Sequence, residues 1–579
     1  MTSALRDPVD IPRPGEFPRQ FVPAQIDLGD WAQIEPLFDA LAARGLDSAE
    51  ALEHWLLDLS ELGACLSEER ARRHIASTCF TDDAEAEARH MHFVTEIVPR
   101  IKPRVDALHR RYLASPWRGH LDRQRLLVHD RDVENAVALY REENVPLQTE
   151  EQRLENEHYK VTGAQTVEFR GAIQTMPQMM RHLEETDALT RREAWVAMTQ
   201  RRLQDAETLS TLFDQMLTLR HQMALNAGFE NFRDYQHRRL GRFDYTPADC
   251  EAFHAAVETT CVPLARELAA QRQHLLGLEA LRPWDLAVDP LGRPPLRPFA
   301  TAEELVTGCR RVFRQVSPML AEDFDVLTSR RLLDLESRPA KAPGGYQSTL
   351  DEVRLPFIFM NAAGTNRDVF TLLHEGGHAF HALASRHEPL LAYRDAPLEF
   401  CEVASMGMEM MALDGLGEFY TEADAARARR RHLESVIKLF PWIAQIDAFQ
   451  HWLYTHAGHT RGAREEVWLG LEDRLGIPLD WSGHEVWKAI SWQSQLHLFQ
   501  APFYYIEYGI AQIGALQLWL NHRRDAPGAI AKYREALALG GSRPLPRLFA
   551  TAGLRFDFSA ETMRPLIEAV REELERLPD

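Results

Sequence analysis

Residues 365–383 read TNRDVFTLLHEGGHAFHAL and contain the pattern His-Glu-x-x-His at His374, Glu375 and His378. Residues four apart on a helix lie one turn apart on the same face, so both imidazoles can reach one metal ion. Zn²⁺ binds neutral imidazole nitrogen well, and a neighbouring carboxylate can accept a proton from a water that zinc has made acidic. The spacing therefore predicts a zinc ion held by the two histidines, with Glu375 as the general base.

The same stretch carries signals for and against a helix. Thr365 followed by Asp368 three residues later is typical of a capping box at a helix start, and apolar residues recur at helical spacing. Gly376 and Gly377 argue against a helix, because each glycine costs about 1 kcal/mol in a helix interior. We interpret them as a sign that something approaches the helix backbone closely. A chance pentapeptide on an ordinary helix is the alternative.

A second helix is predicted over residues 397–413, which read PLEFCEVASMGMEMMAL. Glu402 and Glu409 are seven apart and therefore share a face. A catalytic zinc usually takes three protein ligands and leaves one position for water, which makes Glu402 the expected third ligand. Glu409 could orient a ligating histidine through a hydrogen bond. Both glutamates could instead be solvated charges, but their apolar neighbours predict burial, and a buried carboxylate needs a partner.

The segments HEGGHAFH and EFCEVASMGMEM together resemble the thimet oligopeptidase and oligoendopeptidase F family of zinc metallopeptidases, in its Pz-peptidase-like branch. Phe400, Glu402 and Ser405 match the Phe-x-Glu-x-x-Ser context of that family. The resemblance implies a mostly α fold with two helical lobes enclosing a deep substrate channel, and a small β-sheet beside the zinc-binding helix. It also implies one Zn²⁺ per chain and short peptides as substrates. Cobalt or manganese could occupy the same ligands, because affinity order alone does not select the metal.

The stretch HLFQAPFYYIEYGIAQ begins at His497 and adds a group of aromatic side chains. His497, Tyr504 and Tyr508 would share one face of a single helix, with Tyr505 beside them, although Pro502 could interrupt it. An aromatic core stripe is the plain interpretation. The family resemblance instead implies a histidine and tyrosine cluster that closes on the substrate. We therefore expect His497, Tyr508 and Tyr505 to stabilise the oxyanion of the reaction, and Tyr504 to bind substrate.

Residues 353–360, VRLPFIFM, predict a β-strand. Pro356 lacks an N–H donor, which places it on an edge strand or at a strand start. An edge strand beside the zinc helix can bind a peptide through backbone hydrogen bonds, as the resemblance also implies, although a plain core strand is equally compatible. Gly345 and Tyr346, in the turn before the strand, and Phe359 within it are the corresponding candidate substrate-binding residues.

The composition of the chain disfavours functions that involve nucleic acid or membranes. The 579 residues carry a formal net charge of -20, which disfavours binding to nucleic acid or to an anionic membrane. No apolar run is long enough to span a membrane, and the N-terminal residues do not resemble a secretory signal. We therefore expect a cytoplasmic protein, of undetermined oligomeric state. We expect an N-terminal helical region over residues 1–190 and a metallopeptidase catalytic domain over residues 191–579.

The remaining cysteines and histidines give no further metal site. The six cysteines show no paired spacing, so neither a disulfide framework nor a thiolate zinc site is indicated. His451, His456 and His459 form a second histidine group, but no glutamate accompanies them in the zinc-peptidase pattern, and structural roles are expected.

The sequence therefore predicts a zinc-dependent endopeptidase that hydrolyses internal bonds of short oligopeptides. A helical zinc carboxypeptidase or dipeptidyl carboxypeptidase is the alternative within the same chemistry. It would need a positively charged anchor for the free carboxylate of the substrate, which the sequence does not locate. A catalytically silent peptide-binding scaffold is a third interpretation, and it is disfavoured because all four zinc-site residues are present.

Overall fold

A computed structural model describes residues 8–13, 15–338, 340–342 and 344–578. It is 68% helical, with one two-stranded and one three-stranded sheet among the described residues, which confirms the mostly α prediction. The helices are, in chain order, α1 Trp31–Ala43, α2 Ala49–Cys79, α3 Ala84–His92, α4 Val98–Leu113, α5 Leu127–Leu139, α6 Asn144–Gly163, α7 Met176–Met180, α8 Ala188–Asn226, α9 Phe232–Arg239, α10 Pro247–Thr260, α11 Val262–Leu275, α12 Ala302–Val316, α13 Pro318–Ser329, α14 Asn366–Ser385, α15 Leu398–Met411, α16 Glu422–Thr455, α17 Arg461–Leu475, α18 Glu485–Ile490, α19 Leu496–Gln500, α20 Tyr505–Arg524, α21 Ala526–Ala538, α22 Leu545–Thr551 and α23 Ala560–Arg576. The strands are β1 Thr166–Phe169, β2 Ala172–Thr175, β3 Leu333–Glu336, β4 Tyr346–Leu350 and β5 Leu355–Ala362.

The described contacts divide the chain into two compact units, each assembled from three separate segments. Unit 1 consists of the described residues up to Tyr140, Arg297–Ala425 and Gly514–Phe556. Unit 2 consists of Arg141–Leu296, Ala426–Ile513 and the described residues from Asp557 onward. The expected boundary at residue 190 does not match this pattern, because residue 190 lies inside unit 2, in the first turn of α8. A single cut in the sequence cannot separate units whose segments alternate along the chain.

Each unit contains its own apolar core. In unit 1, helices α1, α2, α4 and α5 pack around Trp55, whose indole N–H donates to the Leu41 carbonyl at 2.9 Å. In unit 2, the β1–β2 hairpin packs on the first turns of α8 through Val167, Phe169 and Met198. None of the helices in the described part of the chain combines the length and the apolar character needed to cross a membrane.

The three-stranded sheet lies in unit 1 in the order β3-β5-β4. The predicted strand at residues 353–360 corresponds to β5, which pairs in parallel with β3 and antiparallel with β4. Of the two alternatives for Pro356, the edge strand is excluded because β5 is central, and the strand start is confirmed. Pro356 is tolerated because it is the second residue of β5, at the strand start. The edge strand in this part of the sheet is β4, and both β4 and β5 pack against α14.

Helices α14 and α15 confirm the two helices predicted around the zinc motif. The capping box is present at the start of α14, where the Asp368 carboxylate accepts from the Thr365 N–H at 2.8 Å. The two helices cross at Gly377. A Cβ added there would lie 2.5 Å from the Ala404 carbonyl oxygen and 2.6 Å from Ser405 Cα, so only glycine permits the approach. This contact is the physical reason for a glycine in the interior of α14.

Replacing Gly377 by alanine should therefore separate α14 from α15. We expect Gly377→Ala to lower the free energy of unfolding by about 1–3 kcal/mol, as overpacking does in other cores, and to weaken metal binding. Gly470→Ala is the matched control, because Gly470 lies in α17 with no atom within 4 Å of the added Cβ. The free energy of unfolding of the control should rise by about 0.4–1 kcal/mol, because alanine reduces the conformational entropy of the unfolded chain. Denaturant unfolding of both variants checks this, and equal effects at the two positions would contradict it.

Candidate metal centre and active site

The predicted ligands converge where α14 crosses α15 in unit 1. Glu402 Oε2 lies 3.4 Å from His374 Nε2 and 3.7 Å from His378 Nε2. The three side chains offer ligand atoms that all lie within 4.8 Å of one another. A tetrahedral zinc with bonds of about 2.0–2.1 Å needs ligand atoms about 3.3–3.4 Å apart, so the observed separations suit one ion.

Two further side chains orient these ligands. The Nδ1 of His374 donates to Glu409 Oε1 at 2.7 Å, which holds the ring so that Nε2 faces Glu402. The hydroxyl of Ser405 donates to Glu402 Oε2 at 3.0 Å and fixes the carboxylate from one turn along α15. The structure thus brings Glu409 to the position expected of it, and it gives the serine of the Phe-x-Glu-x-x-Ser pattern a physical purpose.

The electrostatics of the cluster favour a bound cation. Burial acts to lower the pKa of His374, but the carboxylates of Glu402 and Glu409 outweigh it and raise that pKa well above its ordinary value. Burial lowers the pKa of His378 to about 4, so its imidazole is neutral near pH 7 and keeps a lone pair for a metal. Two carboxylates at one buried point need positive charge nearby. The donor set therefore fits Zn²⁺ in both charge and chemistry.

Glu375 has the surroundings of a general base. Its side chain is 7% exposed, and its Oε2 has no hydrogen-bond partner among the described residues. The backbone N–H of Gln347, in β4, donates to the same carboxylate. Burial, assisted by Glu402 and Glu409, raises the pKa of Glu375 to about 7 against the opposing effect of His374. A carboxyl group with a pKa near neutrality can both accept and return a proton.

The candidate substrate-binding residues of the sheet lie beside this centre in unit 1. Gly345 is exposed at the start of β4, and Tyr346 stacks on Phe359 with ring centroids 4.8 Å apart. The hydroxyl groups of Tyr346 and Thr78 are hydrogen-bonded at 2.6 Å. Phe359 is fully buried in the central strand, so its expected direct contact with substrate does not fit this geometry. Its side chain instead supports the ring of Tyr346.

His497 and the three tyrosines cluster in unit 2, although they do not share one helix. The chain leaves α19 after Gln500 and enters α20 at Tyr505, with Phe503 between them at φ 68°. The single-helix expectation is therefore wrong, and the turn containing Pro502 is the reason. The rings still meet: His497 lies 4.8 Å from Tyr505 and 6.0 Å from Tyr508, centroid to centroid. Tyr504 lies 5.1 Å from Tyr508.

Buried polar side chains that sequence analysis did not select hold this segment in place. Arg220 is fully buried and donates to the Leu498 carbonyl at 3.0 Å, to Tyr454 Oη at 2.8 Å and to Glu151 at 2.7 Å. Gln495 Nε2 donates to His497 Nδ1 at 2.8 Å. The contacts of Arg220 join positions far apart in sequence, which periodicity does not reveal. An arginine within the apolar face of α8 was the available signal.

These observations define a mostly helical protein with a candidate metal centre, in which a His-Glu-x-x-His motif is completed by a glutamate from the following helix. The profile of peptidase family M3 matches residues 181–566. The chain belongs to peptidase family M3.

Relatives and a solved structure agree with this assignment. The chain is 23% identical to group B oligopeptidase PepB of Streptococcus agalactiae over 240 residues, which is 40% of this chain and 38% of that protein. It is 21% identical to an oligoendopeptidase F homolog of Borreliella burgdorferi over 382 residues, or 64% of this chain and 62% of that protein. The alignments therefore span less than two thirds of these relatives. A structure of Pz peptidase A with an inhibitor matches with a TM-score of 0.90 and 27% identity, covering 96% of this chain and 99% of that one.

The contact between Glu409 and His374 yields a prediction about metal affinity. Glu409→Ala removes the acceptor for His374 Nδ1 and should weaken metal binding or activity by about 10–100-fold. Glu409→Gln keeps an oxygen that can accept the same hydrogen bond, so it should lose less metal affinity or activity than Glu409→Ala. Competition with a chelator measures the affinity of each variant. Equal affinity in wild type and Glu409→Ala would show that the contact does not orient the ligand.

Proposed function

We propose that this protein is a zinc-dependent endopeptidase that hydrolyses internal peptide bonds of short oligopeptides. The observation that carries the proposal is the convergence of His374, His378 and Glu402 on one point, with the buried carboxylate of Glu375 beside it. The names of the relatives, group B oligopeptidase PepB and oligoendopeptidase F homolog, support the substrate class.

In the proposed reaction, His374, His378 and Glu402 would hold the zinc. When bound, zinc supplies a Lewis acid that polarises the scissile carbonyl and lowers the pKa of water. Glu375 accepts a proton from the attacking water and delivers it to the leaving amine. Its partly satisfied carboxylate suits both steps, because the Gln347 N–H holds one side and the other side is left for the transferred proton. Glu409 and Ser405 keep the ligands in position throughout.

We propose that the substrate backbone pairs with β4, in place of the β5 strand favoured by sequence. β4 is the edge strand that carries Tyr346 and donates to Glu375 through Gln347. A peptide held by backbone hydrogen bonds is aligned without regard to most side chains, as a broad peptidase requires. Gly345 leaves room for the peptide at the start of this strand, and Tyr346 flanks it.

The proposal also includes a cytoplasmic location. All six cysteines are free thiols in the described structure. Free, mostly buried thiols are typical of proteins that work in a reducing compartment. Retention of the protein with the cytoplasmic fraction of its source cells would support this location, and recovery from the medium would contradict it.

Replacing the general base tests the proposed function directly. Glu375→Gln should reduce kcat on an internally quenched peptide by about 10²–10⁴ or more, because the amide cannot accept the proton. Zinc content should stay at one ion per chain at the His374, His378 and Glu402 site. Glu303→Gln, at an exposed position in α12, is the control and should keep full activity. Retention of most of the activity in Glu375→Gln with zinc bound would rule out the proposed role.

The products of the same assay separate the two zinc-peptidase hypotheses. An endopeptidase cuts inside a peptide whose C-terminus is amidated, whereas a carboxypeptidase or dipeptidyl carboxypeptidase requires the free carboxylate. We expect internal cleavage of the amidated peptide, read by mass spectrometry of the fragments. Loss of all cleavage on amidation would favour the exopeptidase hypothesis.

We further propose that Tyr508, with His497 and Tyr505, donates to the oxyanion that develops during hydrolysis. Tyr508→Phe removes one hydroxyl donor and should lower kcat by about 10²–10³, the typical effect of losing one such donor, with little change in KM. Tyr420→Phe is the matched control, since it also removes one hydroxyl, which hydrogen-bonds Asn366 at 2.7 Å. Equal kcat for wild type and Tyr508→Phe would remove Tyr508 from the mechanism.

A further inference from the structure

A second group of metal-ligating side chains lies inside unit 2, away from the zinc motif in sequence. Cys250 and His254 are four residues apart on α10, and Asp447 and His451 are four residues apart on α16. Each pair occupies one face of its helix, one turn apart, the spacing by which helices present two ligands to one ion. Nothing in the proposed peptidase chemistry uses these four residues.

The two helices bring the four side chains together. A ligand atom from each of Cys250, Asp447 and His451 lies within 4.8 Å of the other two. His451 Nε2 is 3.3 Å from Asp447 Oδ2, and His254 Nε2 donates to the same oxygen at 2.8 Å. The rings of His254 and His451 are nearly perpendicular, with centroids 5.5 Å apart.

The group is buried and its polar atoms are incompletely satisfied. Asp447 is 0% exposed and Cys250 is 1% exposed, while His254 and His451 are also buried. Both contacts to Asp447 reach the same oxygen, and Oδ1 has no hydrogen-bond partner among the described residues. His451 Nδ1 likewise has none, although Glu251 lies 3.8 Å away. Buried polar atoms without hydrogen-bond partners are rare in folded proteins, and a bound ion is one explanation for them.

We propose that Cys250, Asp447 and His451 form a second, buried site for a divalent transition metal, with zinc as the expected ion and His254 holding the Asp447 carboxylate. Sulfur, imidazole nitrogen and carboxylate oxygen are the donors that zinc accepts. Binding displaces the proton of the Cys250 thiol to solvent, and one thiolate plus one carboxylate then balance the two charges of the ion. A neutral buried site avoids the cost of an uncompensated charge.

A hydrogen-bonded His–Asp–His network without metal is the competing explanation. It accounts for Asp447 Oδ2, which contacts both histidines. It leaves Oδ1 of the same carboxylate without a partner among the described residues. A metal uses the sulfur and can take up the unused carboxylate oxygen. Its position would tie α10 to α16 within unit 2, a structural role rather than a catalytic one.

Cobalt distinguishes this site from the proposed peptidase centre, because only this site contains a cysteine. The full-length protein would be stripped with a chelator and reloaded with Co²⁺ alone. We expect two Co²⁺ per chain and a near-ultraviolet charge-transfer band from thiolate to Co²⁺. The His374, His378 and Glu402 site contributes no such band, so the result does not depend on peptidase activity. One Co²⁺ per chain, with no thiolate band, would overturn the second site.

Substitutions assign the band to a residue. Cys250→Ser should abolish the band and leave one Co²⁺ per chain, and Asp447→Asn should weaken binding of the second ion. Cys261→Ser, an equally buried position beside α10, and Cys401→Ser, next to Glu402, should keep both ions and the band. If Cys250→Ser does not fold, the wild-type stoichiometry and band still decide. A band that survives in folded Cys250→Ser would contradict the assignment.

Discussion

The candidate metal centre depends on one close packing contact, the crossing of α14 and α15 at Gly377. The helix that carries His374 and His378 has a glycine where it meets the backbone of Ala404 and Ser405. A Cβ at this position would overlap main-chain atoms, which cannot rotate away as a side chain can. The contact brings Glu402 within 3.4–3.7 Å of both imidazoles. The stability given up by glycine in a helix interior, about 1 kcal/mol, is therefore linked to the geometry of the ligand set.

The same crossing also concentrates negative charge in a buried place. Glu402 and Glu409 lie on either side of His374, and Glu375 is buried near them, so negative charge is concentrated where water is scarce. The pKa values of His374 and Glu375 are raised here, because a proton on either side chain reduces the net negative charge of the cluster. A divalent cation relieves it more completely. The candidate site could therefore accommodate a cation, and the proton-accepting role proposed for Glu375 relies on the same burial.

The convergence of His374, His378 and Glu402 could be predicted from the sequence because these residues form local patterns. His374, Glu375 and His378 are set by helical spacing. The two glycines indicated a close approach, which Gly377 makes to α15 and Gly376 makes to Phe313 of α12. The predictions that failed depend on long-range structure. Pro356 was compatible with an edge strand or with a strand start, and the choice depends on β3 and β4, which flank β5 from positions that its own sequence does not reveal.

Two other differences between sequence and structure have the same origin. His497 and Tyr508 were expected on one helix, and the turn at Phe503 divides them while the tertiary packing still gathers the rings. The expected boundary at residue 190 assumed that units follow one another along the chain, whereas each unit here is assembled from three segments. The sequence likewise did not indicate Cys250 as a metal ligand, because Asp447 and His451 lie on α16, almost two hundred residues later.

The central claim is that the ion held by His374, His378 and Glu402 drives cleavage inside short peptides. The most direct measurement is hydrolysis of an internally quenched peptide by protein of known metal content, before and after treatment with a chelator. The account predicts that cleavage disappears on chelation, returns on addition of zinc, and cuts the peptide internally. Cleavage that continues in protein shown to be free of metal would contradict it.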